Sequence, residues 1–403
     1  MSEMSAMTEK MESVEAKPLR TRIAAGIALA LVALGAAAIT LGLRSDASRV
    51  WVDLLVDGFY FLSLALAGLV FLAIKYLASA GWWTAVRRVP EALMSLVPVA
   101  ALPMLAVWFG RRALYPWTRP GFMGSEPALA AKAAYLNEPF FLVRMVLFLG
   151  VWSLFALLLR RASLAQDGQA PDGKHHQHRR MVRLSAGFIV VFAVTFSLAS
   201  FDWLMSLDPR WTSTLFAVHT FAGLFLAGIA VITLAVVRLR RGGPLAGAIG
   251  GSHLHDLGKL LFAFSIFWAY IWVCQYLLIW YGNLSEEIPY YVVRTRGAWL
   301  PLFILIPVLN WLVPFLVLLS RDAKRNPRVL GGAAVVVLVG GWLNVYGIVA
   351  PAVLPGPRLG VIELLITAGY AGLFFLAATR SLGRAPLLAH NDPFLPESLR
   401  HHA

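Results

Sequence analysis

Six ionisable side chains fall inside long apolar stretches of this chain: Asp53, Asp57, Arg144, Asp202, His219 and Glu363. In hydrocarbon such groups are expensive, so each calls for a partner, an interior pathway or a ligand. A histidine switches between neutral and cationic forms near physiological pH, which suits proton handling or a hydrogen bond to a quinol hydroxyl. Asp53 and Asp57, four residues apart, share a helical face, and one of them is expected to pair with Arg144 on a neighbouring helix. The competing structural reading is a buried ion pair that fixes helix register. Asp202 and His219 flank the hairpin SFDWLMSLDPRWTSTLFAVHTFAG at residues 200–223. A short turn would set its two helices side by side, so these two residues are expected to share one polar cavity.

Three amides complete the candidate set. Gln275 ends a face of Ser265, Trp268 and Trp272 that fits either packing or a flat cofactor. Asn310 lies among Pro301, Pro307 and Pro314, whose kinks free carbonyls that need a partner or water. Asn344 lies in the ninth apolar run. The candidates for a proton path or quinone pocket are therefore Asp57, Arg144, Asp202, His219, Gln275, Asn310, Asn344 and Glu363. Glu91 follows Pro90 at a helix start, where the helix dipole explains it. Cys274 is the only cysteine, and it excludes disulfides, thiolate-held iron–sulfur clusters and a C-x-x-C-H haem site. His219 is the only histidine in an apolar run, so haem would lack a second axial histidine, and no metal site is expected. The run HHQHRR at 175–180 reads as a cationic loop facing anionic lipid.

These side chains must be positioned by membrane helices. The chain is 59% hydrophobic, with a mean hydropathy of +0.71, which excludes an ordinary soluble domain. Runs long enough to span the bilayer recur near 21–43, 51–76, 89–109, 139–160, 183–207, 211–238, 256–282, 298–320, 328–350 and 360–380. The expected fold is an all-α polytopic membrane protein of ten helices, with a tail at 1–20, a membrane domain at 21–383 and a second tail at 384–403. The net charge of +14 sits in short loops, so it reflects membrane topology and not nucleic-acid binding. Of the 35 Lys and Arg, 24 lie with the termini and 10 in the opposite loops, which predicts both termini in the cytoplasm. The acidic residues before Lys17 and the missing A-x-A-like site argue against a cleaved signal peptide. Within the hairpin, Asp208 and Pro209 read as N-cap and first-turn proline, so a helix is predicted to start there. Trp203 and Trp211 are expected in the headgroup layer. Ala and Gly enrichment in the first and ninth helices predicts close helix packing.

Three segments carry a family resemblance: KAAYLNEPFFLVR (132–144), FDWLMSLDPRW (201–211) and QYLLIWYGNLSEE (275–287). In this order they resemble the F membrane subunits of bacterial alternative complex III, of the polysulfide-reductase membrane-subunit (NrfD-like) superfamily. The resemblance runs from the second helix onward. It implies two four-helix bundles, helices 2–5 and 6–9, flanked by helices 1 and 10. It also implies a respiratory quinol:electron-acceptor oxidoreductase in the bacterial cytoplasmic membrane. Partners would be an iron–sulfur subunit, c-type haem subunits and a sister quinol-binding membrane subunit, with haem c and iron–sulfur clusters in those partners and menaquinone or menaquinol as the small ligand. Two other functions stay open: a purely structural scaffold of such a complex, and a stand-alone secondary transporter.

Overall fold

A computed structural model describes residues 22–168, 176–241, 243–389 and 391–401. Ten of its helices are long and apolar enough to cross a membrane: α1 (Arg22–Ser45), α2 (Ala47–Leu77), α3 (Arg88–Leu114), α4 (Glu138–Asp167), α5 (His176–Leu207), α6 (Phe216–Arg240), α7 (Gly251–Gly282), α8 (Gly297–Val317), α9 (Pro327–Val353) and α10 (Val361–Leu382). No strand occurs among the described residues. Where water is absent, a helix is the structure that satisfies its own backbone, which is why each apolar run takes this form. The chain is an all-α polytopic membrane protein.

The core sits around α2, which is buried along nearly its whole length. It packs against α3 and α5 on one side and against α6, α9 and α10 on the other. Contacts among α2–α5 and among α6–α9 form two four-helix units, joined where α2 meets α6 and α9. The flanking helices α1 and α10 pack on each other and together on α2. Their backbones touch at Gly35 and Gly369, where a Cβ on Gly35 would lie 2.8 Å from Gly369 Cα. Small residues in α1 thus do pack closely, within this chain.

Prolines break two helices, α8 as the sequence predicts and α3 in addition. In α8, a π-helical turn at Val308–Leu312 separates two short α segments, and the Asn310 amide donates to Ile306 O at 3.0 Å. In α3, Pro103 precedes a 3-10 turn at Val107–Gly110.

The hairpin departs from its prediction. Helix α6 starts at Phe216, and residues 208–215 form an irregular connection. Asp208 accepts the Arg210 N–H at 3.3 Å, an Asx turn that does not grow into a helix. Trp203 and Trp211 are buried within the protein. Trp211 stacks on Tyr290 at 3.9 Å between ring centroids, and Trp203 sits edge-on to Trp152. This packing draws the connection inward.

The 176–180 part of HHQHRR is the first turn of α5, not a loop, and His175 lies outside the described residues. The N-terminal tail also lies outside them. After α10 the chain folds back over the same end of the bundle as the α2–α3 connection. Leu388, Ala389, Leu395 and Ser398 are buried there.

Candidate functional site

Asp57 is fully buried at the junction of α2, α9 and α10. The Trp342 indole N–H donates to it at 2.7 Å, and the Thr367 hydroxyl approaches both carboxylate oxygens at 3.1 Å. No cation forms an ion pair with it among the described residues. One turn outward, Asp53 is buried and its Oδ2 has no hydrogen-bond partner among them. Arg49, a further turn out, is taken by Glu363, whose second oxygen also accepts from Arg49 Nη2 at 2.5 Å. Glu363 in addition accepts the Gly360 N–H at 2.8 Å and so caps the start of α10. It is both a helix cap and a member of a buried ion pair.

Arg144 does not pair with Asp53 or Asp57. Its Nε and Nη2 bind the two oxygens of Asp202 at 2.7 and 3.0 Å, a bidentate bridge between α4 and α5. The guanidinium also donates to Tyr135 O at 3.2 Å and lies over the Tyr135 and Phe140 rings at 3.9 and 4.2 Å. The reason is packing order. Helices α4 and α5 are direct neighbours, whereas Phe59 of α2 meets Trp203 at 6.4 Å, placing an aromatic layer on the side of Asp202 that faces α2.

Asp202 and His219 are likewise not brought together. Arg144 occupies both oxygens of Asp202, while His219 turns toward α7, its ring 6.2 Å from that of Trp268. Both His219 ring nitrogens, Trp268 Nε1 and Gln275 Oε1 are buried without a partner among the described residues. Asn344 is buried on α9 and faces Gly223 of α6. The stripe on α7 packs: Trp272 stacks between Trp268 and Tyr276 and meets Phe303 of α8 at 4.9 Å.

The largest charged cluster was not among the sequence candidates. Glu91, read as a dipole residue, instead accepts from three arginines: Arg87 at 2.6 Å, Arg88 at 2.6 Å and Arg160 at 2.7 Å. Ser163 donates to it at 2.5 Å, Asp167 pairs with Arg88, and Asp392 of the C-terminal segment pairs with Arg87. Three guanidinium groups thus meet three carboxylates, almost wholly buried. The signal in the sequence is RRVPE (87–91), a charged run at the edge of an apolar one, but topology alone accounts for its arginines. Arg294 was also missed. It donates to Gly347 O at 3.1 Å and Ile348 O at 2.9 Å. Pro351, lacking an N–H, leaves the Gly347 carbonyl free for it.

At the opposite end the loop 115–137 folds onto the hairpin connection. Lys132 Nζ donates to Pro209 O at 2.8 Å, and burial pushes its ammonium below the usual lysine range, opposed by Asp208 and Glu286. Among the described residues no group of three or more His, Cys, Asp or Glu side chains gathers as metal ligands would. Beside Asp57, a shallow apolar crevice of about 20 Å³ lies between α2, α3 and α10, lined by Gly58, Phe61, Val99, Pro103, Tyr370 and Phe374.

Neither a protein-family model nor a curated protein matches this chain.

Proposed function

We propose that this chain is an integral membrane subunit of a respiratory quinol:electron-acceptor oxidoreductase, of the alternative complex III type. In this reading Asp57 takes and gives protons, and iron–sulfur, haem c and sister quinol-binding subunits carry the electrons. The observation that supports it is Asp57 itself, a buried carboxyl group held by the neutral donors Trp342 and Thr367, with no cation paired to it among the described residues. A register-setting carboxylate would carry its counterion, as Asp202 does. Asp57 has none among the described residues, so no ion pair has to break when it takes up or releases a proton. Quinol oxidation releases protons together with electrons, which gives such a group a use. The scaffold reading draws on the Arg144–Asp202 and Arg49–Glu363 pairs, which fix helix positions.

The test is purification of the tagged chain from its native membrane in mild detergent. Co-purification of c-type haem and iron–sulfur proteins, with menaquinol-dependent acceptor reduction, is expected. Asp57→Asn should keep subunit and haem content while lowering protons moved per electron at least several-fold. A chain that migrates alone overturns the subunit assignment, and unchanged proton coupling in the variant overturns the role of Asp57.

A further inference from the structure

At the end of the bundle that the C-terminal segment closes, the connection RDAKRNPR (321–328) carries four cationic side chains in eight residues. Two caps hold its shape. Ser320 Oγ accepts the Ala323 N–H at 3.1 Å, and Asn326 Oδ1 accepts the Arg328 N–H at 2.9 Å at the start of α9. Lys324 turns inward, donating to Leu319 O at 3.2 Å with its ammonium 4.6 Å from the centre of the Phe262 ring. Its neighbours border an open cleft of about 600 Å³ instead, lined by Asp322, Arg325, Asn326, Pro327 and Arg328 together with Arg241 from the end of α6.

Three guanidinium groups against one carboxylate, that of Asp322, leave this lining with an excess of positive charge, and the start of α9 adds the positive end of its dipole. The cleft therefore favours an anion. Guanidinium groups offer parallel N–H bonds to paired phosphate oxygens, and they give up water more readily than an ammonium does. A space of this size exceeds what a small inorganic ion fills and lies in the range that holds a larger ligand. The other end of that ligand is indicated by α9. From Arg328, the exposed residues Gly332, Val335 and Val339 follow at three- and four-residue spacing on one face, and a Cβ on Gly332 would meet nothing within 4 Å. Arg328 to Val339 covers about 16 Å of helix, close to the depth of about 15 Å of one leaflet's hydrocarbon. An apolar face alone is what any helix shows to lipid. A face that starts at a cleft of arginines matches a phosphate at one end and an acyl chain along the rest.

We propose that the cleft binds the headgroup phosphate of an anionic phospholipid, with an acyl chain laid along the Gly332, Val335 and Val339 face of α9. The proposal is independent of the quinol reading. Its test takes the full chain, stripped of lipid in detergent, and titrates it with phosphatidylglycerol or with phosphatidylcholine of the same acyl chains, counting bound lipids by native mass spectrometry. One phosphatidylglycerol should be retained at a concentration at least tenfold below that needed for phosphatidylcholine. Arg241→Gln combined with Arg328→Gln, both exposed, should raise that concentration at least tenfold, since each cation near a lipid surface contributes about fivefold. Arg112→Gln combined with Arg119→Gln, exposed at the opposite end, is the control and should leave it unchanged. Equal retention of the two lipids by the wild-type chain, or equal loss in the cleft and control variants, overturns the site. Millimolar inorganic phosphate separates the two sources of the anion. It should displace little of the lipid, and full displacement would mean that the cleft reads phosphate alone, which overturns the lipid assignment.

Discussion

Removing one side of the Arg144–Asp202 bridge leaves a buried charge with nothing to offset it, a loss of roughly 3–5 kcal/mol. Arg144→Leu or Asp202→Leu alone should therefore lower the melting midpoint sharply in detergent micelles. The double variant should recover much of the loss, because two apolar side chains replace a pair whose desolvation was costly. Equal damage from the double variant and the sum of the singles, measured as a double-mutant cycle, would show that the bridge does not act as a unit. The sequence revealed which residues carry charge into the membrane, since a charge stands out in an apolar run. It did not reveal the partners. Asp57 shares a helical period with Asp53, but whether that face meets Arg144 depends on the rotation of α2 and on Phe59 and Trp203 filling the intervening space. Neither is encoded in spacing.

At the scale of helices, the crossing of α1 and α10 rests on the absence of side chains. Both helices are otherwise largely exposed, so the approach at Gly35 and Gly369 is their main anchor. Gly35→Val should wedge the pair apart and cost about 1–3 kcal/mol. It should also make the connection near Asp46 susceptible to protease. Gly26→Val, whose Cβ position has nothing within 4 Å, is the control and should leave both readouts unchanged. Equal protease resistance in both variants would remove the anchor argument. Helix existence was legible throughout because apolar runs longer than the hydrocarbon thickness leave little choice. Boundaries were less so. At Asp208 the local signal was read as a helix start, whereas the helix begins only at Phe216, and Trp211 instead stacks on Tyr290, itself under the Arg294 guanidinium at 3.5 Å. Tertiary contact decides such ends.

In the whole molecule, the element least visible in the sequence is the segment after α10. Its residues are short, polar and proline-rich, which is also how an unpacked tail reads, and its partners are far away along the chain. Asp392 pairs with Arg87, while Ser398 receives the Ala85 N–H at 2.9 Å and donates to Trp82 O at 2.6 Å. Pro386 O accepts from Arg88 at 3.0 Å, and Leu388 and Leu395 are buried beneath. The segment therefore completes the charge balance of the arginine–carboxylate cluster and closes the bundle end that α2, α3, α4 and α7 share. Ending the chain at Arg384 would leave three guanidinium groups facing two carboxylates and uncover apolar side chains worth about 1.5–3 kcal/mol each. Such a truncation should accumulate poorly and melt well below the full chain. Two point variants separate the causes. Leu395→Ala tests packing, with an expected cost of about 2–5 kcal/mol. Asp392→Asn keeps the shape and removes only the charge, and it should lose more stability than Leu395→Ala if the excess guanidinium charge of the cluster dominates. Melting curves of the three proteins beside the wild-type chain decide the matter: a truncated chain that melts with the full one would mean the segment only rests on the bundle.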